Sequence, residues 1–120
     1  MSERDGTPAR RELHIRKPYF DLIASGVKTV EVRVGYASMR KIQPGQALDF
    51  ITGDERLRTR VVRVSEYASF ELLLEHEDPI AIGGDLGKNT DELLGVIRSI
   101  YPAEKERLGV LAIEIDTLGE

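Results

Sequence analysis

Short alternations of apolar and polar residues recur along the chain and predict five β-strands. The predicted strands cover residues 12–17, 29–34, 47–52, 57–64 and 110–115. Alternation with a period of two is typical of a strand that buries one face. Gln43-Pro44-Gly45 and Gly53-Asp54 have the composition of turns, and the second pair predicts a hairpin between the third and fourth strands.

Helical spacing of apolar residues predicts about three helices, over residues 69–77 and 89–101 and over a shorter stretch between Pro18 and Gly26. Proline suits the first helical turn, and glycine suits the position just past a helix end. Residues 78–88 contain one proline and three glycines and are expected to form a loop. The strand-dense middle lacks the regular alternation of a parallel sheet. We therefore predict an α+β fold, a small, mostly antiparallel β-barrel decorated by about three helices.

Composition fits a single folded domain over residues 12–120 that follows a flexible tail over residues 1–11. The chain has 120 residues, of which 41% are hydrophobic and 32% charged. It has no cysteine, which excludes disulfides and thiolate zinc sites. His14 and His76 are its only histidines, so neither a metal site nor another cofactor is expected. No apolar run approaches the roughly 18 residues that cross a bilayer, so we expect a cytoplasmic protein without a membrane partner.

Charge is distributed unevenly along the chain. The net charge is −4, which argues against bulk, non-specific binding to nucleic acid. Residues 1–41 nevertheless carry nine Lys/Arg against five Asp/Glu, whereas residues 42–120 carry eight against sixteen. A local basic face can therefore exist on an acidic protein.

The segment Gly26-Val27-Lys28-Thr29-Val30-Glu31-Val32-Arg33 concentrates charge at a predicted helix-to-strand junction. Glu31 and Arg33 share one strand face, and Lys28 joins them only if it precedes regular pleating. Lysine, glutamate and arginine so close together suit an anion-binding or proton-transfer site. The alternative is an exposed strand face with a surface ion pair.

Arg56, Arg58 and Arg60 lie at period-two spacing, so all three project from one face of the fourth strand. RNA backbone would relieve the repulsion within this row. Pairing with acidic neighbours is the alternative, and the chain has many acidic residues.

Two residues of the last helix also have alternative interpretations. Glu92 falls at the third helical position if Asn89 is the N-cap, which is typical of a capping box. Tyr101 precedes Pro102 and could be a core residue, a hydrogen-bond donor into a cleft or a base-stacking ring.

The pattern Gly26-x-Lys28-x-x-Glu31-x-Arg33 resembles the signature of the ASCH domain family, a member of the PUA-like superfamily. The resemblance extends over about residues 13–116. It includes Ser69-Phe70-Glu71-Leu72-Leu73, Ile100-Tyr101-Pro102 and the closing strand. It implies a PUA-like β-barrel with a cleft lined by the signature residues, in which the family is proposed to bind RNA.

Some members that this chain resembles are metal-independent amidohydrolases that remove acyl groups from N4-acetylcytidine, and others are ribonucleases. By position, the resemblance places the amidohydrolase lysine at Lys28 and its glutamate at Glu92. The threonine nucleophile position is occupied by Glu31, and a carboxylate does not replace an attacking hydroxyl.

Three hypotheses follow, and none of them defines an oligomeric state. The first is a protein that binds RNA or a nucleotide-like small molecule in a charged cleft through Lys28, Glu31, Arg33 and Tyr101, with backbone contacts from Arg56, Arg58 and Arg60. The second is a hydrolase acting on a modified nucleoside or on RNA, with Lys28, Glu31 and Glu92 as catalytic residues. The third is a protein-interaction module.

Overall fold

One five-stranded sheet organises residues 9–118, the part of the chain that the computed structural model describes. Its strands are β1 (Arg11–His14), β2 (Val30–Val34), β3 (Ala47–Thr52), β4 (Glu55–Tyr67) and β5 (Val110–Thr117). Their order in the sheet is β1-β3-β4-β5-β2. β1 pairs with β3 in parallel, and the other three pairings are antiparallel. The prediction of an α+β fold with a mostly antiparallel sheet is confirmed.

The sheet curls into a half-barrel that stays open between β1 and β2. Within residues 9–118, no backbone ladder joins these two edge strands. The predicted β-barrel is therefore present as an open half-barrel, which is consistent with a PUA-like barrel. The open side is where the charged segment of β2 meets the end of β1.

Four α-helices and three 3₁₀ segments connect the strands in the same described residues. The α-helices are α1 (Lys17–Ala24), α2 (Phe70–His76), α3 (Pro79–Gly83) and α4 (Thr90–Ile100). The 3₁₀ segments are Met39–Lys41, Gly84–Lys88 and Ala103–Leu108. Pro18 lies in the first turn of α1, and Gly26 follows its end with a φ of 86°.

The predicted loop over residues 78–88 is wrong, because α3 and a 3₁₀ segment occupy it. Asp78 caps α3 by accepting a hydrogen bond from the Ile80 amide, and Pro79 fits the first helical position. The proline that suggested a loop instead lies at the start of α3. A glycine that suggested a loop instead allows a close contact between backbones. The predicted number of helices was too low for this reason.

Two hydrophobic cores form on opposite faces of the sheet. The helical core packs valines of β2 against helices α2, α3 and α4, with Phe70, Leu73, Ile82, Leu93 and Ile97 among its members. The α1 core packs Phe20 and Ile23 of α1 against strand residues, among them Leu48, Phe50 and Ile113. Because both faces are covered, even the polar positions of β2 are shielded, with Glu31 buried and Arg33 half-buried.

The predicted N-terminal tail, residues 1–11, falls mostly outside the described residues. Residues 9–11 are described, and there Arg10 Nη1 donates to Asp49 Oδ1 at 3.0 Å. Strand β1 begins at Arg11, one residue before the predicted start. Among the described helices, none is both long and apolar enough to cross a membrane.

Candidate functional site

The end of α1 fixes the backbone that leads into the charged segment. Leu22 O accepts hydrogen bonds from the amides of Val27 and Lys28, both at 3.0 Å. The Thr29 amide then donates to Ala81 O of α3 at 2.9 Å. Lys28 is therefore held between α1 and α3, before regular pleating begins at Val30. This position meets the condition that the sequence set for Lys28 to lie beside Glu31.

All three N–H groups of the Lys28 ammonium have acceptors within the protein. Nζ donates to Val30 O and Ile82 O, each at 2.7 Å, and lies 3.2 Å from Glu31 Oε1. An ammonium group has three donors, so these three acceptors use all the donors of Lys28. Lys28 thus joins β2 to α3 and holds one oxygen of Glu31.

Arg33 holds the other oxygen of Glu31 and bridges the open side of the half-barrel. Its Nε donates to Glu31 Oε2 at 2.5 Å, and its Nη2 donates to His14 O at 2.8 Å. Within residues 9–118, its Nη1 has no protein acceptor. Opposite Glu31 and Arg33 on β5 stand Ile113 and Leu111 of the α1 core, so these charges project from the face opposite the valines.

Burial excludes the alternative of an exposed surface ion pair. Lys28 is 4% exposed and Glu31 is 6% exposed. Burial alone would raise the pKa of Glu31, but the charges of Lys28 and Arg33 outweigh it and hold that pKa below its ordinary value. Burial lowers the pKa of Lys28, and Glu31 offsets part of this shift. The carboxylate is therefore a fixed negative charge between two cations.

A cavity of about 360 Å³ opens beside this group. Its polar lining consists of His14, Arg16, Tyr19, Lys28, Glu31, Arg33 and Tyr101, and its apolar lining consists of Ile15, Val32, Ile82, Leu93, Val96, Ile97 and Ile100. Its size lies at the small end of the range of about 300–1,000 Å³ typical of small-molecule sites. One wall is charged and the opposite wall is an apolar helix face.

Helix α4 supplies that apolar wall through Leu93, Val96, Ile97 and Ile100. Their spacing of three and four residues puts them on one side of the helix. Tyr101 follows the helix, stacks on Phe70 with ring centroids 5.8 Å apart and also lines the cavity. Burial raises the pKa of its phenol, so Tyr101 is a neutral hydrogen-bonding group.

The structure does not bring Glu92 to this site. Glu92 is exposed in the first turn of α4 and lies outside the cavity lining. Its amide donates to Asn89 Oδ1 at 3.1 Å, as expected for a helix cap. A catalytic set of Lys28, Glu31 and Glu92 is therefore not assembled around the cavity.

The arginine row of β4 also lies away from the cavity. Arg56 pairs with Asp49 at 2.7 Å and with Glu12 at 2.8 Å, as the acidic-neighbour alternative predicted. Arg60 Nη1 donates to Gly45 O at 3.0 Å. Arg58 is exposed and has no side-chain partner among residues 9–118.

Sequence reasoning missed the cavity residues that come from the end of β1 and from α1. His14 was not expected to line the cavity, and within the described residues no group of three His, Asp or Glu side chains could hold a metal ion. Arg16 was placed in a strand predicted to continue to residue 17, and Tyr19 in the short helix that follows, so neither was expected at the site. In the folded chain they line the same cavity as Arg33.

The comparison with protein families matches this architecture. The family model of the ASCH domain matches residues 13–119. The chain belongs to the ASCH domain family. Within this ASCH domain, the residues that resemble the family signature, Lys28, Glu31 and Arg33, form the charged group beside the cavity. A search of curated proteins found no match to the chain.

Solved structures share this ASCH fold. Hypothetical protein PH0355, in a crystal structure, is 32% identical with a TM-score of 0.83, and the alignment covers 91% of this chain and 99% of that one. Protein PF0455 from Pyrococcus furiosus, solved by NMR, is 31% identical with a TM-score of 0.69, over 92% of this chain and 99% of that one. Protein EF3133 from Enterococcus faecalis is 14% identical with a TM-score of 0.55, over 93% and 80%, and shows the fold alone.

Proposed function

We propose that this ASCH domain binds RNA or a nucleotide-like ligand by holding one base in the cavity beside Glu31. The ASCH family is generally RNA-binding, which supports the ligand class. The observation that carries the proposal is the Glu31 carboxylate, buried and charged on the wall of a cavity of about 360 Å³. Such a volume suits one base and its sugar better than a duplex.

Glu31 and Arg33 offer complementary hydrogen-bonding groups to the edge of a base. Each carboxylate oxygen of Glu31 has one protein cation as a partner and retains a further lone pair. It can accept a hydrogen bond from a ring N–H or an exocyclic amino group. Nη1 of Arg33 can donate to a neighbouring ring nitrogen or carbonyl. Edge recognition of this kind requires an unpaired base, so the ligand is single-stranded.

The two faces of the base would meet apolar and aromatic side chains. Val96 and Ile100 of α4 provide an apolar surface, and the rings of Tyr19 and Tyr101 line the same cavity. Stacking on aromatic rings is worth about 1–3 kcal/mol per base in single-strand binding. Lys28 acts in this scheme mainly by holding Glu31 in place, because its own donors are used.

The hydrolase hypothesis receives less support from the cavity. Among the described residues, no serine, threonine or cysteine side chain lines it. A covalent mechanism would therefore lack its usual nucleophile. Hydrolysis is therefore not a second proposal, and turnover of the ligand is followed in the binding experiment.

The test is binding of a labelled short single-stranded RNA of mixed sequence, measured by fluorescence anisotropy with wild-type protein and with Glu31→Gln. We expect Glu31→Gln to weaken binding at least about tenfold, because a hydrogen bond to a charged group is worth about 1.5–3 kcal/mol. Glu104→Gln is the matched control, since Glu104 is exposed and lies outside the cavity. Circular dichroism checks that each variant is folded.

A second variant tests the cavity without disturbing the buried ions. Val96→Trp should fill the space beside α4 and abolish binding, whereas Ser99→Trp, at an exposed position of the same helix, should retain it. Mass spectrometry of the RNA and of added N4-acetylcytidine follows turnover in the same samples. Absence of RNA binding by the wild type, or full binding by Val96→Trp, would refute the proposal.

A further inference from the structure

We infer that Arg16 and Arg33 form a phosphate-binding site at the mouth of the cavity, so that the ligand is a nucleotide and not a neutral nucleoside. This inference rests on the proposed function and specifies the ligand further. It assigns a role to Arg16, which lies outside the family signature and lines the cavity from the connection between β1 and α1.

The cavity has the opposite charge to the protein as a whole. Arg16, Lys28 and Arg33 line it, against Glu31 as the single carboxylate of the lining. Counted over Lys, Arg, Asp and Glu, the lining carries a net charge of +2, while the full chain carries −4. A ligand that carries negative charge is therefore attracted to this place in particular.

The excess positive charge lies at the mouth. Lys28 and Glu31 have side chains 3% and 8% exposed and compensate each other at depth. The Arg33 side chain is 18% exposed, and Arg16 is an exposed residue. A bound nucleotide would therefore place its base inward and its charged group outward, toward the two guanidinium groups.

Both arginines line the same cavity, and the backbone segment that carries Arg16 is in contact with the Arg33 side chain. Nη2 of Arg33 donates to His14 O, so the Arg33 side chain ends against the segment that carries Arg16 two residues later. Among residues 9–118, no acceptor binds Nη1 of Arg33 or the Arg16 side chain. Unused guanidinium donors in a planar fork match the oxygens of a phosphate group.

The test compares the four common ribonucleosides with their 5′-monophosphates and 3′-monophosphates by isothermal titration calorimetry. We expect one phosphate isomer to bind at least about tenfold more tightly than its nucleoside. Arg16→Gln should reduce this advantage to less than about threefold, because it weakens the binding of the nucleotide more than that of the nucleoside. Arg107→Gln is the matched control, since Arg107 is exposed, lies outside the cavity and changes the net charge equally.

A further pair of ligands distinguishes a terminal phosphate from a phosphodiester. A dinucleoside monophosphate without terminal phosphate should bind like the mononucleotide if the site takes RNA backbone. If it binds like the nucleoside, the site takes a terminal phosphate, and both results support the inference. In both cases Arg16→Gln must lower the affinity of the tighter ligand.

Failure of the inference differs from failure of the proposed function. If nucleosides and nucleotides bind equally, or if Arg16→Gln and Arg107→Gln behave alike, the phosphate site is refuted while base binding stands. If RNA, nucleosides and nucleotides all fail to bind, the proposed function fails and the inference fails with it.

Discussion

The ammonium group of Lys28 lies 3.2 Å from Oε1 of Glu31, and the two side chains are 3% and 8% exposed. An ion pair at this depth has lost most of its hydration, so each charge is stabilised mainly by the opposite charge of its partner. The two carbonyl groups of Val30 and Ile82 complete the partners of Lys28. The ion pair of Lys28 and Glu31 is therefore part of the framework that positions the cavity wall.

Replacement of Lys28 by methionine should destabilise the protein strongly. Removal of one partner from a buried ion pair costs about 3–5 kcal/mol, because the remaining charge stays buried without compensation. Urea denaturation at neutral pH measures this loss. Lys17→Met is the control, since Lys17 pairs with Asp21, four residues later, on the surface, where both side chains are more than half exposed. Equal losses in the two variants would contradict the framework role of Lys28.

The low pKa of Glu31 predicts a defined dependence of stability on pH. The folded-state pKa lies below the ordinary value of 4.5, so the contribution of Glu31 is present above pH 4.5 and is lost as pH falls through the folded-state pKa. Glu31→Gln should therefore be less stable than the wild type at pH 7, and the difference should shrink toward pH 3. Urea denaturation at several pH values measures it. A difference that stays constant with pH would show that folding does not lower the pKa of Glu31.

Two glycines give opposite predictions for the same substitution. A Cβ on Gly87 would lie 2.2 Å from Pro79 O, a backbone atom that cannot move aside cheaply, whereas a Cβ on Gly95 meets no atom within 4 Å. Gly87→Ala should lose about 1–3 kcal/mol through overpacking of the 3₁₀ segment on α3. Gly95→Ala, within helix α4, should gain about 0.5–1 kcal/mol. Thermal unfolding of both variants measures these changes. A Gly87→Ala variant as stable as the wild type would show that the 3₁₀ segment and α3 pack more loosely than in this structure.

The strands and the longer helices could be predicted because periodic patterns reflect local burial. The alternation of β2 and the capping residues of α4 are local features, and the structure reproduces them with shifts of one residue. Segment 78–88 was mispredicted because proline and glycine are typical of loops. The sequence does not show that Gly87 packs tightly against Pro79. Only the three-dimensional contact explains why glycine is required there.

The candidate site was predictable only in part for a similar reason. Lys28, Glu31 and Arg33 are close in sequence, so their clustering was visible without a structure. Arg16 reaches the site because β1 lies at the open edge beside β2, and the pairing of β1 with β3 has no local sequence pattern. Glu92 was proposed through the family resemblance, and its exposed place on α4 comes from the orientation of the helix.

The arginine row of β4 predicts unequal effects on the salt dependence of RNA binding. Arg56 is already neutralised by Asp49, whose side chain is 1% exposed, whereas Arg58 is exposed without a described partner. If this face contacts RNA backbone, Arg58→Gln should reduce the slope of log K against log salt by about 0.7, the value for one phosphate contact on a single strand. Arg56→Gln should change the slope less, because its charge is shared with carboxylates. Anisotropy titrations between 50 and 200 mM salt would measure both slopes. An unchanged slope in Arg58→Gln would remove this row from the RNA interface and leave the cavity mouth, with Arg16 and Arg33, as the place where phosphate binds.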